Sequence, residues 1–122
     1  MSTEKTIAIP ELNEGEIYVG AIIKPDGTGH HAILLPGDND DASWDDQMEW
    51  AKSIGGDLPD RVEQALMYKS LPNQFKDDWY WSNTQHSGDS DYAWCQSFCY
   101  GNQLNFHEHD QLRARAVRRS VI

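Results

Sequence analysis

Apolar and polar positions change their rhythm along the chain, and each change predicts an element. Residues 6–9 form a short apolar run ended by Pro10. Residues 16–24 are rich in β-branched side chains and predict a strand. Pro25-Asp26-Gly27-Thr28-Gly29 reads as a turn, because proline fixes φ and glycine permits positive φ. Residues 30–35 return as a second strand closed by Pro36-Gly37, so the two form a hairpin. The rhythm then becomes helical. Ser43 is a good N-cap, and Asp45 and Asp46 fall in the first turn, where the dipole favours anions. Trp44, Met48, Trp50, Ala51 and Ile54 fall on one arc, with Gln47 its only polar member. Asp45, Asp46 and Glu49 fall opposite, which predicts an amphipathic helix stopped by Gly55-Gly56. Asp60-Arg61-Val62-Glu63 has the form of a capping box. Val62, Ala65, Leu66, Met67, Tyr68 and Leu71 put apolar residues around much of this second helix, which predicts that it is well buried before Pro72 ends it.

The last third is β again. Residues 79–82 predict a strand, 86–91 a loop, 92–100 a strand, Gly101-Asn102 a tight turn and 103–107 the return strand. Residues 113–119 predict one terminal strand. A hairpin, two helices and an antiparallel sheet make the α+β class, in one domain of 122 residues.

Composition narrows the function. Hydrophobic residues make up 39% of the chain, enough for a core, which excludes wholesale disorder. The formal net charge of -10 argues against direct binding of nucleic acid, which rests on cations displacing counterions, and against anionic membrane surfaces. The first residues lack the basic patch and apolar stretch of a signal peptide, so the expectation is a cytoplasmic protein. The charge is uneven. Nine acids and two bases lie between Asp38 and Glu63, whereas Arg113, Arg115, Arg118 and Arg119 crowd the end. Cys95 and Cys99 would stand about 13 Å apart on one extended strand, at roughly 3.3 Å per residue. A disulfide needs Cα atoms within about 7 Å. Two reduced thiols are therefore expected.

The stretch 44–119 resembles a bacterial and phage family of C-type-lectin-like domains that includes the C-terminal domain of the Legionella collagen-like protein. Ala51, Gly55-Gly56 and Leu58-Pro59-Asp60-Arg61-Val62-Glu63 carry the resemblance. So do Tyr80-Trp81-Ser82-Asn83, Ala93-Trp94 with Phe98 and Gly101, and Arg115-Ala116-Val117-Arg118. It implies two helices packed on twisted antiparallel sheets, with the N- and C-terminal strands close together. It also implies core positions for Trp81, Trp94 and Phe98. The family often has a tryptophan-arginine pair before Leu-Pro, where this chain has Gly56-Asp57.

Candidate chemistry is sparse. The calcium-dependent sugar-binding strings of C-type lectins, Glu-Pro-Asn or Gln-Pro-Asp with Trp-Asn-Asp, do not occur. Asp38-Asn39-Asp40-Asp41 and Asp89-Ser90-Asp91 supply hard oxygen ligands but read first as solvated acidic loops. His107 and His109 share a strand face, with Cys95 and Cys99 within reach across a hairpin, yet the spacing matches no common zinc motif. Nothing in the sequence orients a Cys-His nucleophile pair. His30-His31 reads as a solvent-exposed pair. The expectation is a non-enzymatic protein-binding module without cofactor or metal, of phage or prophage type. Its partner would be a protein, in a sharper version a basic or nucleic-acid-binding one that the acidic chain inhibits. A metal- or sugar-binding site is the rival from another class. The candidate docking residues are Asp45, Asp46 and Glu49 on the first helix, Trp79 and Tyr80, His86, Asp89 and Asp91, and Asn105 and His107.

Overall fold

The computed structural model describes residues 7–122. In chain order the elements are β1 (Ile17–Ile23), β2 (Gly29–Leu34), β3 (Asn39–Ala42), α1 (Trp44–Ser53), α2 (Arg61–Ser70), β4 (Trp79–His86), β5 (Asp89–Ser97), β6 (Gln103–His107), β7 (Leu112–Ala114) and β8 (Val117–Val121). A short 3-10 turn, Pro72–Gln74, follows α2. The chain is α+β. Its strands make a three-stranded sheet ordered β1-β2-β8 and a five-stranded sheet ordered β3-β7-β4-β5-β6.

The hairpin forms where β-branched residues predict it. β1 and β2 pair antiparallel from Ile17 opposite Leu34 to Ile23 opposite Gly29. Asp26 closes the turn by accepting from the Thr28 amide (2.9 Å) and hydroxyl (2.6 Å). Thr6 lies outside the described residues, and residues 7–9 form no strand and are exposed. The return strand β2 pairs with β8, so the N-terminal hairpin and the C-terminal strand share a sheet.

The end of the chain corrects the sequence expectation. Residues 113–119 are not one strand. β7 lies between β3 and β4, and β8 joins β2 in the other sheet. Arg115 and Ala116 make the crossing, and both are buried. Arg115 is held there by donating to the carbonyls of Gln74 (2.6 Å) and Leu35 (2.8 Å). The acidic run 38–41 is not a free loop either, since β3 pairs with β7. Its neighbour Arg113 donates to Asp38 (2.9 Å) and Asp40 (3.1 Å). The loop expected at 86–91 shrinks to Ser87 and Gly88, and the strand expected over 92–100 ends at Ser97.

Both helices begin as their caps predict. Ser43 accepts from the Asp46 amide, and Asp60 and Glu63 complete a capping box. α1 packs against one face of the five-stranded sheet, where Trp44, Ala51, Trp81, Cys95 and Ala114 share a core. Its polar intruder Gln47 is fully buried because every polar atom is used. It donates to the carbonyls of Asp40 (2.8 Å) and Leu112 (2.9 Å) and accepts from Asn39 (2.8 Å). The helix thereby fastens β3 to β7. α2 packs where the two sheets meet, its Met67 sharing a core with Val19, Leu34, Tyr80 and Phe98. Contrary to the expectation from its apolar girth, its buried residues are Glu63, Gln64 and Met67, while Val62 is 59% exposed.

Between the helices the chain makes an antiparallel bridge, Asp57 to Val117. A Cβ on Gly56 would stand 2.6 Å from both Leu35 Cδ1 and the Val117 carbonyl oxygen. Glycine is needed there for the close approach, and no tryptophan fits.

Candidate functional site

The five-stranded sheet sorts the predicted docking residues by face, because side chains alternate along a strand. In the β5–β6 register, Tyr92 stands opposite His107 and Trp94 opposite Asn105. These four are half-buried. His86 stacks on Trp94 at 5.6 Å, and Tyr92 and His109 meet the His107 ring edge-on at 5.4 and 4.9 Å. On the opposite face Trp79 packs against Phe106 at 5.1 Å. Trp79 is therefore parted from His86, Asn105 and His107.

Two aromatic expectations need correction. Tyr80 is no surface anchor. It is 1% exposed, donates its hydroxyl to Asp38 and accepts from the Lys76 amide (3.0 Å). Burial and the Asp38 carboxylate push its phenol up to about 12. Trp94 is half-buried rather than core, because α2 covers it with a charged group. The Arg61 guanidinium carbon lies 3.6 Å from its ring centroid. Trp81 and Phe98 are core as expected.

The acidic candidates are exposed and brought to one end. The Trp44 amide at the start of α1 donates to the Glu108 carbonyl (2.9 Å), and the Glu108 amide donates to the Asp91 carbonyl (2.9 Å). These two bonds tie the α1 N-terminus to the β6–β7 loop and the start of β5. Asp45 and Asp46 thus share one end with Glu108, Asp110, Asp89 and Asp91. Glu49 follows one turn along α1, also exposed. None of these carboxylates is in an ion pair among the described residues.

The C-terminal arginines do not form a basic surface to match. Arg113 holds Asp38 and Asp40, Arg118 holds Glu16 (2.8 Å), and Arg119 holds Asp57 (2.7 Å) and Glu63 (2.7 Å). Sequence crowding of these bases hides that each is turned onto an acid or carbonyl far away in the chain.

The metal and nucleophile candidates separate. Cys95 is buried and donates its thiol to the Leu104 carbonyl (3.2 Å). Burial pushes that thiol up to about 12, the opposite of nucleophile activation. Cys99 lies exposed in the turn after β5, and both thiols are free. The strand-spacing argument therefore does not apply to Cys99. His107 lies on the other face from Cys95. Among the described residues the group close enough to hold an ion is instead His30, Asp60 and Glu63. It is already filled: Arg119 donates to both Glu63 oxygens (2.7 and 2.8 Å), and His30 Nε2 lies 2.8 Å from one of them. A bound cation would have to displace a guanidinium, so this group does not fit a metal. It also corrects the histidine pair. His30 is engaged with Glu63, and His31 is buried with its Nδ1 2.8 Å from the Tyr18 hydroxyl.

No helix among the described residues is long and apolar enough to cross a membrane. Compared with protein-family models and with curated proteins, the chain matches none.

Proposed function

We propose that the chain is a non-enzymatic protein-binding module with a C-type-lectin-like fold, docking through its acidic end on a basic surface of a protein partner. The observation that carries this reading is the gathering of unpaired Asp45, Asp46, Asp89, Asp91 and Asp110 with Glu108 at one end, while the C-terminal arginines are consumed internally. Such a charge pattern steers association with a cationic partner. The sharing of one sheet by the N-terminal hairpin and β8 supports the lectin-like fold, and the resemblance over 44–119 supports a phage or prophage source. The buried Cys95 thiol, out of reach of His107, supports a module without catalysis. Competition with nucleic acid for the partner follows where that basic surface is itself a nucleic-acid site.

The test is the triple variant Asp45→Lys, Asp46→Lys, Glu49→Lys. All three side chains are exposed, so the fold should survive with a loss of roughly 0.3–1 kcal/mol for each acid at the helix N-terminus. Affinity purification from the native host with both proteins identifies what the wild type holds and the variant releases. The wild-type association rate should then fall as salt shortens the screening length to about 8 Å at physiological strength. A folded variant that keeps the same partner at the same affinity, with a rate indifferent to salt, would sink this reading.

A further inference from the structure

Arg61, the first residue of α2, is the arginine whose surroundings the fold does not explain. Its Nε donates to Gln103 Oε1 (2.9 Å), and the Gln103 amide answers by donating to the Arg61 carbonyl (2.7 Å). Gln103 also donates to Gln96 Oε1 (2.9 Å). Trp94 covers one face of the guanidinium at 3.6 Å. The side chain is therefore fixed at its Nε edge and by its π face. Its two Nη groups have no acceptor among the described residues, and no carboxylate there pairs with it. Arg113, Arg118 and Arg119 each hold carboxylates, and Arg115 holds two carbonyls.

Arg61 lines a groove of about 550 Å³ between α2 and the β5–β6 turn, with Val62, Ala65, Gln96, Gly101 and Gln103. The volume lies within the range of sites that take small ligands. Val62 and Ala65 are both exposed on it. Gly101 packs too closely on the Tyr68 ring to carry a Cβ. The amides of the lining satisfy one another: Gln103 Oε1 takes Arg61, Gln96 Oε1 takes Gln103, and Gln96 Nε2 donates to the Ser97 carbonyl (3.1 Å). The groove thus joins apolar surface to an arginine whose Nη groups have no acceptor among the described residues.

We propose that this groove binds an aliphatic carboxylate, seating the carboxylate on the Arg61 Nη groups and the aliphatic body on Val62, Ala65 and Gly101. A planar fork matches a planar carboxylate with two parallel hydrogen bonds. Because Gln103 and Trp94 hold the guanidinium already, little side-chain freedom is left to lose on binding. A carboxylate complements the unpaired guanidinium at short range, working against the long-range repulsion of a chain of net charge -10. The site is separate from the acidic end and does not depend on it. A free short-chain acid and the C-terminal residue of a peptide share this chemistry.

The experiment is a titration of the full chain followed by ¹H–¹⁵N NMR, with N-acetylvaline, N-acetylvalinamide and isovalerate as probes. Saturable shifts of the Arg61 Nε–H, the Gln103 side-chain amide and the Trp94 indole N–H are expected with at least one of the two acids. The neutral amide should bind at least tenfold more weakly. Arg61→Gln removes the fork and Ala65→Trp fills the groove while leaving the fork, and both should abolish the shifts. Tighter binding of isovalerate assigns the site to free acids, tighter binding of N-acetylvaline assigns it to chain ends, and equal binding leaves it open to both. No saturable shift with either acid, an amide bound as well as its acid, or binding that survives both variants would overturn the proposal. The acid–amide comparison uses the wild-type chain, so it decides even where a variant fails to fold.

Discussion

The two helices are equal in length, ten residues each, and both start on a side-chain cap, yet they turn opposite chemistry toward the protein. α1 buries Trp44, Gln47 and Ala51 and shows solvent Asp45, Asp46 and Glu49. α2 buries Glu63 and Gln64 beside Met67 and shows Val62 and Ala65. The surface beneath each helix explains the difference. Under α1 lies the tryptophan-lined face of the five-stranded sheet, so an apolar arc is drawn inward. Under α2 the two sheets meet and present Arg119, His30 and the Tyr80 carbonyl beside the apolar Val19, Leu34 and Phe98, so Glu63 and Gln64 are drawn inward along with Met67. An apolar residue left outside by that arrangement becomes the wall of the Arg61 groove. An amphipathic pattern thus names the buried face only when the facing surface is apolar.

The largest expected effect is on the polar anchor of α2. Burial pushes the Glu63 carboxyl up, but Arg119, the Asp60 amide and His30 outweigh it and hold it below its usual 4.5. Glu63→Ala should cost about 3 kcal/mol, at the low end for breaking a buried ion pair, because Arg119 keeps Asp57. Urea unfolding checks this, and a loss under about 1 kcal/mol would mean the anchor contributes little beyond a cap. The same group sets an acid limit. A depressed carboxyl adds stability that is present above its unfolded value and lost as pH falls through the folded one. Glu16, drawn down to about 2 by its bonds to Arg118, acts the same way. Wild-type stability should therefore decline below about pH 4.5 and continue to fall toward pH 2, and Glu63→Ala should flatten that decline.

The two buried glutamines sharpen the contrast. Gln47 satisfies three partners, and Gln47→Leu would leave the carbonyls of Asp40 and Leu112 and the Asn39 amide without it. A loss of about 2 kcal/mol is expected. Gln64 donates to the Tyr80 carbonyl (3.1 Å), but its Oε1 has no partner among the described residues. Gln64→Leu removes that orphan together with one donor, so its cost should stay within about 1 kcal/mol. Equal losses in urea would show that satisfaction of the side chain does not govern either site.

Local signals carried the parts of the fold that local physics decides. The hairpin turn, both helix caps and β6 are set by residues within a few positions of one another. β3 was not legible, because Asn39, Asp40, Asp41 and Ala42 show no apolar alternation and are held by β7 some seventy residues on. The division of the last segment into β7 and β8 depends on two sheets offering separate edges, which no period within 113–119 records. The acidic face of α1 could be read at once, since exposure follows from its arc. The Arg61 groove could not: Gln103 and Trp94, which fix the arginine, lie far along the chain from it.

The smallest expected effect is the most direct check on which side of α2 faces outward. Val62 is the second residue of the helix and 59% exposed. Val62→Glu gives up a little apolar contact and places an anion in the first turn, where the dipole favours it by roughly 0.3–1 kcal/mol. The two terms nearly offset, so stability should change by no more than about 0.5 kcal/mol. The matching substitution on the inner side is Met67→Glu. Met67 is fully buried among Val19, Leu34 and Tyr80, and a lone carboxylate there should cost several kcal/mol, on the order of 3 or more. Measured side by side in urea, a neutral Val62→Glu and a crippling Met67→Glu fix the rotation of α2. Comparable losses at both positions would mean that the helix is buried around its girth, as its apolar composition alone suggests, and that the groove wall is closed in solution.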